Sequence, residues 1–263
     1  MSWLALTRAV SPTLADCELT HLNRTRIDIA RALEQHAQYE AALVALGCTI
    51  HQVAPAPDFP DAVFIEDTAI VLDEIAIITR PGAVSRRAEI EPVAAALAPY
   101  RPLHRIEAPG TIDGGDVMVM GGRIYAGRTL RTNDDGIAQL RGAVAPYGYK
   151  VVPVEITGCL HLKSAVTALD DRTVLCNARW VDPAAFTPLE AALVADDEPN
   201  AANVVRVGDR LLATEAFVRT NAMLRQRGYS VATVPADELA KAEGALTCCS
   251  LIIAGRLITK AES

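Results

Sequence analysis

The chain has 263 residues, of which 51% are hydrophobic and 22% are charged, and its formal net charge is −7. A chain of this length can bury a full-sized core, and this composition is typical of a soluble globular protein. The acidic balance, with no block of basic residues, argues against non-specific nucleic-acid binding, but an acidic cleft would attract small basic substrates.

The N-terminal sequence, MSWLALTRAVSPTLADCELTH, lacks a charged region followed by a long apolar region. We therefore predict neither a signal peptide nor a membrane span, no membrane partner, and a cytoplasmic location. Thiols stay reduced in that compartment, and no CxxC spacing occurs, so we expect neither disulfides nor structural zinc. The six cysteines are Cys17, Cys48, Cys159, Cys176, Cys248 and Cys249.

The first repeated unit begins with VFIEDTAIVLDEIAIIT, in which two short β-type runs flank an Asp-Glu turn. AEIEPVAAALAPY follows with helical spacing, and RPLHRI is typical of a strand. The same order of hairpin, helix and strand returns in DGGDVMVMGGRIYAGR, DDGIAQLRGAVAPYG and YKVVPVEI. The chain is therefore organised as a repeat.

Three further units complete this pattern. HLKSAVTALDDRTVLCN precedes the helix-like DPAAFTPLEAALV, and NVVRVGDRLLAT precedes AFVRTNAMLRQRG and YSVATVP. The last hairpin, LTCCSLIIAGRLIT, takes its helix and closing strand from the start of the chain (IDIARALEQHAQYEAALVALG and CTIHQV) if the two ends join. A repeat of this length with mixed content predicts a closed ring of modules in a single α/β domain, residues 1–263. The alternative is a two-layer α/β sandwich with accidental periodicity.

Each unit opens on a polar residue or pair, at steps of 47, 48, 42 and 45 residues. Equivalent positions in a ring of modules point at one axis, so we expect a thiol, an imidazole and carboxylates to converge there. Nucleophilic catalysis needs such a set: a cysteine, a base within hydrogen-bond reach and a group that orients the base. The opening residues are Glu66 with Asp67, Asp113, His161, Asn203 and Cys248.

Each of these residues also has an ordinary structural interpretation. A lone cysteine is more often an inert core residue, and adjacent strand residues such as Cys248 and Cys249 face opposite sides. His161 lies between leucines, as core histidines often do. The two acids of FIED are harder to explain structurally, because buried carboxylates need a cationic partner. The glycines of TIDGGDV permit close approach of the backbone.

Seven stretches of the chain resemble the dimethylarginine dimethylaminohydrolases of the guanidino-group-modifying (pentein) superfamily: VSPTLADCEL, FPDAVFIEDTAIV, ITRPGAVSRR, TIDGGDVM, GRTLRTND, GCLHLKS and LTCCSLI. They run in the family's order over nearly the whole chain. The resemblance implies a five-bladed α/β propeller of ββαβ modules with pseudo-fivefold symmetry. It also implies hydrolysis of asymmetric dimethylarginine or monomethylarginine to citrulline and dimethylamine or methylamine.

The resemblance further implies a role for each site residue. Cys248 matches the nucleophile, His161 the general acid/base, and Asp113 the carboxylate that orients His161. Carboxylates would hold the guanidinium, two arginines would hold the α-carboxylate bidentately, and two backbone carbonyls would accept from the α-amino group. The residues matched to substrate binding are Leu19, Asp61, Glu66, Asp67, Arg86, Arg131 and Ala242. A flap around SPTLADCEL is expected to cover the bound substrate.

This chemistry requires no organic cofactor and no metal. A zinc ion held by Cys248, His161, Glu66 and Asp67 would occupy the nucleophile and inhibit. The alternatives are an arginine deiminase-like hydrolase of another guanidine or ureido substrate, a non-catalytic translation factor on the same propeller, and a protein that only binds cationic amino acids. The sequence leaves open the choice between monomer and homodimer.

Overall fold

The computed structural model describes residues 3–254. Within that range, fifteen short strands form five three-stranded sheets. The strands are β1 (Trp3–Arg8), β2 (Cys48–Val53), β3 (Ala69–Val71), β4 (Ala76–Ile78), β5 (Leu103–Arg105), β6 (Val117–Met120), β7 (Arg123–Arg128), β8 (Lys150–Glu155), β9 (Val166–Ala168), β10 (Thr173–Cys176), β11 (Glu190–Leu193), β12 (Val205–Val207), β13 (Arg210–Thr214), β14 (Ser230–Val234) and β15 (Leu251–Ala254). The α-helices are α1 (Ile29–Ala45), α2 (Ile90–Leu97), α3 (Asp134–Val144), α4 (Leu162–Ala165), α5 (Val218–Gln226) and α6 (Asp237–Ala240).

Every sheet has the same pairing pattern, an antiparallel pair followed by a parallel third strand. In one of them β6 and β7 form the hairpin, with Val117 opposite Ala126, and β8 lies parallel to β7. Parallel neighbours need a crossover connection, which α3 supplies between β7 and β8. The repeated unit is therefore ββαβ in four blades, with a 3₁₀ helix in place of the α-helix between β10 and β11 in the fifth, and the expected five-bladed propeller is confirmed.

The two ends of the chain close the ring. β15 pairs antiparallel with β1, from Trp3 opposite Ala254 to Leu6 opposite Leu251, and β2 pairs parallel with β1 on the other side. The prediction that the last unit takes its helix and closing strand from the start of the chain is confirmed. The central strand of that unit is β1, which the sequence analysis did not assign. The segment GRLIT, residues 255–259, lies outside the described residues.

Three local predictions were wrong. Cys248 and Cys249, treated above as strand residues, lie in the 3₁₀ helix Thr247–Cys249, before β15 begins. The helix expected over DPAAFTPLEAALV is a short 3₁₀ helix, Pro183–Phe186, followed by strand β11. Pro188 lies between them, and proline inside a helix lacks the amide hydrogen and clashes with the preceding turn. The start of VFIEDTAIV is also not a strand, because Ile65–Thr68 form a 3₁₀ helix before β3 begins.

The central strand of each sheet is buried on both faces. In β4, Ala76 and Ile78 pack into one apolar cluster with Val93 and Leu97 of α2. Ile77 faces the opposite way and packs with Leu140 of α3, because successive side chains of a strand point to opposite faces. The two faces of a central strand thus belong to two different apolar clusters, and each cluster fills the space between neighbouring blades. The first strands of the five hairpins line the axis.

The two longest helices start at side-chain caps. Asp28 accepts a hydrogen bond from the Arg31 amide at the start of α1, and Asn133 accepts one from Gly136 at the start of α3. No helix in residues 3–254 combines the length and the apolar character needed to cross a bilayer.

Candidate active site

Five short helical turns stand in front of the inner strands of the blades, and they contact one another. The predicted opening residues lie within these turns or next to them: Asp113 and His161 come directly before a turn, and Asn203 directly after one. We call this set the turn ring. It consists of Ile65–Thr68, Gly114–Asp116, Leu162–Ala165, Pro199–Ala202 and Thr247–Cys249.

Buried carboxylates join the first three turns through backbone amides. The Gly115 N–H donates to Asp67 Oδ1 at 3.0 Å. The Leu162 N–H donates to Asp116 Oδ1, also at 3.0 Å. Hydrogen bonds from backbone amides satisfy part of each carboxylate's acceptor capacity, which reduces the cost of burying it.

Asn203 and Thr247 complete the circuit. The Asn203 Nδ2 group donates to the Lys163 carbonyl at 3.0 Å and to Thr247 Oγ1 at 2.9 Å. The Thr247 hydroxyl donates to Glu66 Oε2 at 2.8 Å, which returns the chain of contacts to the first turn. Asn203 therefore has a connecting role in the ring, and side-chain bonds link all five blades at the level of the predicted site.

The DGGD motif lets two turns approach closely. A Cβ atom on Gly115 would lie 2.7 Å from both Asp67 Oδ1 and His161 Nδ1. A Cβ atom on Gly114 would lie 2.0 Å from the Glu66 carbonyl oxygen. Both distances are far inside van der Waals contact, so only glycine fits at these two positions. The expected close approach at this motif is present.

His161 lies between two carboxylates. Its Nε2 is 3.1 Å from Asp113 Oδ2, and its Nδ1 is 3.8 Å from Asp67 Oδ1. Asp113 is fully buried, and its other oxygen accepts a hydrogen bond from the Gly82 amide at 2.9 Å. Asp113 is thereby fixed, and it can orient the imidazole as predicted.

The surroundings of His161 favour the imidazolium. Burial disfavours that charge, but the carboxylates of Asp67, Asp116 and Asp113 outweigh burial and raise the pKa of His161 to about 9. At neutral pH the ring therefore carries a proton that it can donate. Asp116 was not predicted, although it is the second acid of DGGD.

Asp116 is fully buried, with hydrogen bonds from two hydroxyl groups. Thr129 Oγ1 and Thr132 Oγ1 both donate to its Oδ2 at 2.6 Å. Burial raises the pKa of Asp116 to about 6 despite these bonds, so the group is ionised at neutral pH. It contributes negative charge close to His161.

The adjacent cysteines occupy different environments. Cys249 is fully buried in an apolar cluster with Leu14 and Leu246, and its thiol contacts the Ala245 carbonyl at 3.5 Å. Cys248 is only half-buried and lines a cavity together with His161. The assignment of Cys248 as nucleophile stays a prediction, and its position allows that role.

The Cys248 thiol is protonated in the free protein. Burial raises its pKa to about 12, with contributions from the negative charges of Glu66 and Asp67. A cation bound beside those carboxylates would cancel their effect and favour the thiolate.

The cavity that Cys248 and His161 share, which we call the site cavity, has a volume of about 20 Å³. That volume has room for roughly one water molecule, so the structure is closed around the site. Most of the predicted site residues line it, but Leu19, Glu66 and Asp113 do not. Its lining consists of Glu18, Asp61, Phe64, Asp67, Arg86, Arg131, Leu160, His161, Ala242, Glu243, Gly244 and Cys248.

Glu66 faces the other side of the turn ring. It lines a channel of about 250 Å³, the axial channel, whose walls are the inner strands of the five blades. Its Oε1 lies 2.5 Å from Lys163 Nζ, and both residues are largely buried. The buried acids of FIED were expected to need cationic partners, and Lys163 supplies one for Glu66. Lys163 itself was not predicted, although it belongs to the LHLKS motif.

Arg86 is the cationic partner of Asp67. Its Nη1 lies 2.5 Å from Asp67 Oδ2, and its Nε and Nη2 bond both oxygens of Glu89 at 3.1 and 2.9 Å. Its Nη2 also donates to the carbonyls of Asp61 and Phe64. The edge expected to hold a substrate carboxylate bidentately is thus occupied by Glu89, and the substrate-binding role of Arg86 stays a prediction.

Residues 18–22 form a flap over the site cavity. The Glu18 amide donates to Asp61 Oδ2 at 3.1 Å, and Arg131 Nη2 donates to Thr20 Oγ1 at 3.3 Å. The Glu243 carboxylate accepts from the successive amides of residues 20–22. Glu243 has a φ of 56°, in the left-handed region that non-glycine residues rarely adopt. The flap therefore lies slightly beyond the predicted SPTLADCEL segment, which ends at Leu19.

Within residues 3–254, the close set of three potential metal ligands consists of Asp67, Asp113 and His161, whose ligand atoms lie within 4.8 Å of one another. The zinc site predicted from the sequence has Cys248 and Glu66 in place of Asp113. Inhibition by zinc stays a prediction.

No family model matches the chain. Over 248 residues the chain is 43% identical to the N(G),N(G)-dimethylarginine dimethylaminohydrolase of Streptomyces coelicolor. This alignment covers 94% of the present chain and 95% of the relative. The chain is 34% identical over 235 residues to the Pseudomonas aeruginosa enzyme of the same name, with 89% and 92% covered. A solved structure of a P. aeruginosa cysteine-to-serine mutant complexed with citrulline superposes with a TM-score of 0.92 at 32% identity, over 96% of this chain and 100% of that one.

The ring of ββαβ blades, with its buried polar site at one end of the axis, defines a guanidino-group-modifying propeller of the pentein superfamily. Both sequence relatives exceed 30% identity over most of their length. Within that superfamily, the chain belongs to the dimethylarginine dimethylaminohydrolase family.

Proposed function

We propose that this protein hydrolyses Nω-methylated arginines to citrulline and dimethylamine or methylamine, with Cys248 as the nucleophile. The observation that carries the proposal is the shared lining of the site cavity. A half-buried thiol, an imidazole held by Asp113, and the acids Asp61 and Asp67 border one closed space. This set suits covalent catalysis on a small planar cation.

Charge decides how such a substrate would bind. Asp61 and Asp67 border the site cavity and would accept the N–H groups of the guanidinium. Arg131 lies under the flap and would bind the α-carboxylate, assisted by the remaining donor of Arg86. The backbone carbonyls of residues 19 and 242 would accept from the α-amino group. Entry would require the flap to open, because the closed cavity is smaller than the substrate.

The first half-reaction begins with thiolate formation. The bound cation beside Asp67 lowers the pKa of Cys248, which releases its proton to the solvent as the substrate enters, because His161 is already protonated. The thiolate then attacks the central guanidinium carbon and forms a C–S bond. His161 gives its proton to the departing nitrogen, the C–N bond breaks, and the methylated amine leaves. A covalent thiouronium remains on Cys248, and His161 is now neutral.

The second half-reaction uses the neutral imidazole as a base. His161 removes a proton from a water molecule, and the hydroxide adds to the thiouronium carbon. The C–S bond breaks, the hydroxyl proton of the adduct passes to the departing sulfur, and citrulline leaves the regenerated Cys248 thiol while His161 keeps the proton taken from water. Asp113 holds the ring in one orientation through both steps. The cytoplasmic location predicted from the N-terminus suits this cycle, because reducing conditions keep the thiol free.

Product identification tests the proposal. The protein is incubated separately with asymmetric dimethylarginine, monomethylarginine, arginine and agmatine, and amines, ammonia and citrulline are quantified. We expect dimethylamine or methylamine in equal amounts with citrulline. Ammonia release from arginine would indicate a deiminase instead. Tight binding of dimethylarginine with no product would indicate a binding protein.

A further inference from the structure

Glu89 is a buried carboxylate behind the site cavity, outside the lining of that cavity. Its side chain is 1% exposed and lies at the end of the 3₁₀ helix Val84–Glu89, VSRRAE. Its two oxygens bond Nε and Nη2 of Arg86, the paired edge of the guanidinium. An arginine held in this way has a fixed plane, because two parallel hydrogen bonds remove its rotation.

The two hydrogen bonds to Glu89 determine which nitrogen of Arg86 is available in the site cavity. The described residues give Arg86 Nη1 a single acceptor, Asp67 Oδ2, although Nη1 carries two N–H groups. Nη2 is used by Glu89 and by the carbonyls of Asp61 and Phe64. Since Arg86 lines the site cavity, the remaining N–H of Nη1 is the donor available to a ligand.

A second buried arginine lies behind Glu89. Arg8, at the end of β1, is fully buried, and its Nη2 donates to the Glu89 backbone carbonyl at 3.3 Å. Within residues 3–254 its Nε and Nη1 have no hydrogen-bond partner. The Glu89 carboxylate bonds Arg86 directly, and its negative charge also acts on Arg8, which contacts Glu89 through the backbone carbonyl. Charges alternate from Arg8 through Glu89 and Arg86 to Asp67, which next meets His161.

We propose that Glu89 is a positioning residue for substrate binding: it holds Arg86 so that Nη1 serves both Asp67 and the α-carboxylate of the substrate. The proposal rests on the proposed function. Arg86 would donate one N–H of Nη1 to the substrate, while its Nε and Nη2 stay bonded to Glu89. Loss of the Glu89 charge would let Arg86 turn, which weakens binding of a carboxylate-bearing substrate.

The test compares two substrates in four proteins. Dimethylarginine carries the α-carboxylate, and Nω,Nω-dimethylagmatine lacks it. For Glu89→Gln we expect KM for dimethylarginine to rise at least about tenfold, with kcat changed less than about threefold. For dimethylagmatine we expect kcat/KM to change less than about twofold. Glu89→Asp keeps the negative charge on a shorter side chain and should give an intermediate KM for dimethylarginine. If Glu89→Gln does not fold, Glu89→Asp alone tests the proposal.

Glu91→Gln is the matched control. Glu91 lies two residues further on, and its two oxygens bond Arg105 at 2.8 and 2.9 Å on the surface. This variant removes a similar paired contact away from the site and should leave both substrates unaffected. Equal losses on the two substrates in Glu89→Gln and Glu89→Asp would overturn the proposal, because a merely structural defect does not distinguish them.

Arg86→Lys supplies the second arm. If Glu89 acts through Arg86, Glu89→Gln adds no further rise in KM in the Arg86→Lys background; additive effects would overturn the proposal. The alkaline limb of the pH profile, which reports His161, should stay in place in Glu89→Gln. An active wild type with an unchanged KM in both Glu89 variants refutes the positioning role alone. A wild type that releases no amine from dimethylarginine refutes the proposed function and this inference together.

Discussion

The turn ring separates two spaces of different character. On one side is the closed site cavity of about 20 Å³, and on the other is the axial channel of about 250 Å³. Neighbouring residues of the same turn face opposite sides. In the first turn Asp67 lines the site cavity and Glu66 lines the axial channel. In the last turn Cys248 lines the site cavity and Thr247 lines the axial channel. One short turn thus places a predicted reacting or substrate-binding group on one side of the ring and a supporting group on the other.

Enclosure by the flap, and not polarity alone, distinguishes the two sides. The axial channel also contains charged groups, Glu66, Lys163 and Arg206, but the inner strands that line it bring no cysteine and no histidine. In the site cavity, burial raises the pKa of Asp61 to about 6. Burial lowers the pKa of His161, but the neighbouring carboxylates outweigh it and raise that pKa to about 9. Reactivity follows from enclosure of titratable groups, which strengthens their mutual electrostatic effects.

The largest expected effect separates the adjacent cysteines. Cys248→Ser should reduce citrulline formation at least about a thousandfold, because a serine hydroxyl is a much poorer nucleophile without its own base. Binding of dimethylarginine, measured by calorimetry, should persist. Cys249→Ser is the control: it places a hydroxyl in an apolar cluster and should cost about 1–3 kcal/mol of stability with activity retained. Inactivity of the Cys249 variant alone would reassign the nucleophile.

Lys163 lies on the boundary between the two spaces. Burial raises the pKa of Glu66, and the Lys163 charge opposes that rise. In Lys163→Met the pKa of Glu66 should rise further, and kcat/KM at pH 7 should fall roughly 10- to 100-fold as a buried carboxylate loses its partner. The acid limb of kcat/KM should move to higher pH. Lys150→Met, an exposed change on β8, is the control; equal activity in both variants would show that Glu66 needs no partner.

The third expected effect concerns Asp61 and the fall of kcat/KM at low pH. Burial raises the pKa of Asp61 to about 6, although Arg86 and the Glu18 amide oppose this. Because the ionised form binds the cation, kcat/KM should fall about tenfold per pH unit below pH 6. Asp61→Asn should lower kcat/KM at pH 8 and remove the contribution of Asp61 to this limb. An unchanged limb in that variant would assign it to Asp116.

The same pKa has a consequence for stability. The carboxyl titrates near 3.8 in an unfolded chain and near 6 in the fold, so its stabilising contribution is complete below pH 3.8 and is lost as pH rises through 6. At pH 7 the ionised group therefore costs on the order of 3 kcal/mol, from a rise of about two pKa units at about 1.4 kcal/mol each. Asp61→Asn should raise the free energy of unfolding at pH 7 and change it little at pH 4, as chemical denaturation would measure.

The sequence predicted the groups that the repeat places at equivalent positions. The near-constant spacing placed Asp113, His161 and Cys248 at blade openings, and the structure has them at the turn ring. The requirement for cations beside the FIED acids also followed from elementary desolvation costs. Periodicity and charge burial are local properties of the sequence, and for that reason they can be read without a structure.

Pairings between distant segments could not be predicted in this way. Asp116 and Lys163 become part of the site only through contacts with other blades, and no spacing rule selects them. Strand β1 was not assigned, because its partner β15 lies at the other end of the chain. The Glu243 carboxylate contacts flap amides more than two hundred residues away.

Glu243 should have a smaller effect, confined to flap opening. Glu243→Gln weakens the acceptor for the amides of residues 20–22, so the flap should open more often. We expect KM to rise about three- to tenfold with kcat unchanged or higher. Trypsin cleavage at Arg24 and Arg26, both exposed, should become faster. Glu215→Gln is the control, and equal cleavage rates would show that Glu243 does not hold the flap.

The smallest effect is expected in the axial channel, and it tests whether the two spaces are electrostatically independent. Val119 lines the channel from β6 and is 37% exposed. Val119→Thr keeps the shape of the side chain, and Val119→Lys adds a charge in a solvent-accessible position, where water and salt screen it. Both variants should keep kcat/KM within about twofold. A shift of the acid or alkaline limb by more than about half a pH unit in Val119→Lys alone would show that charge in the channel reaches Asp61 or His161 through the turn ring.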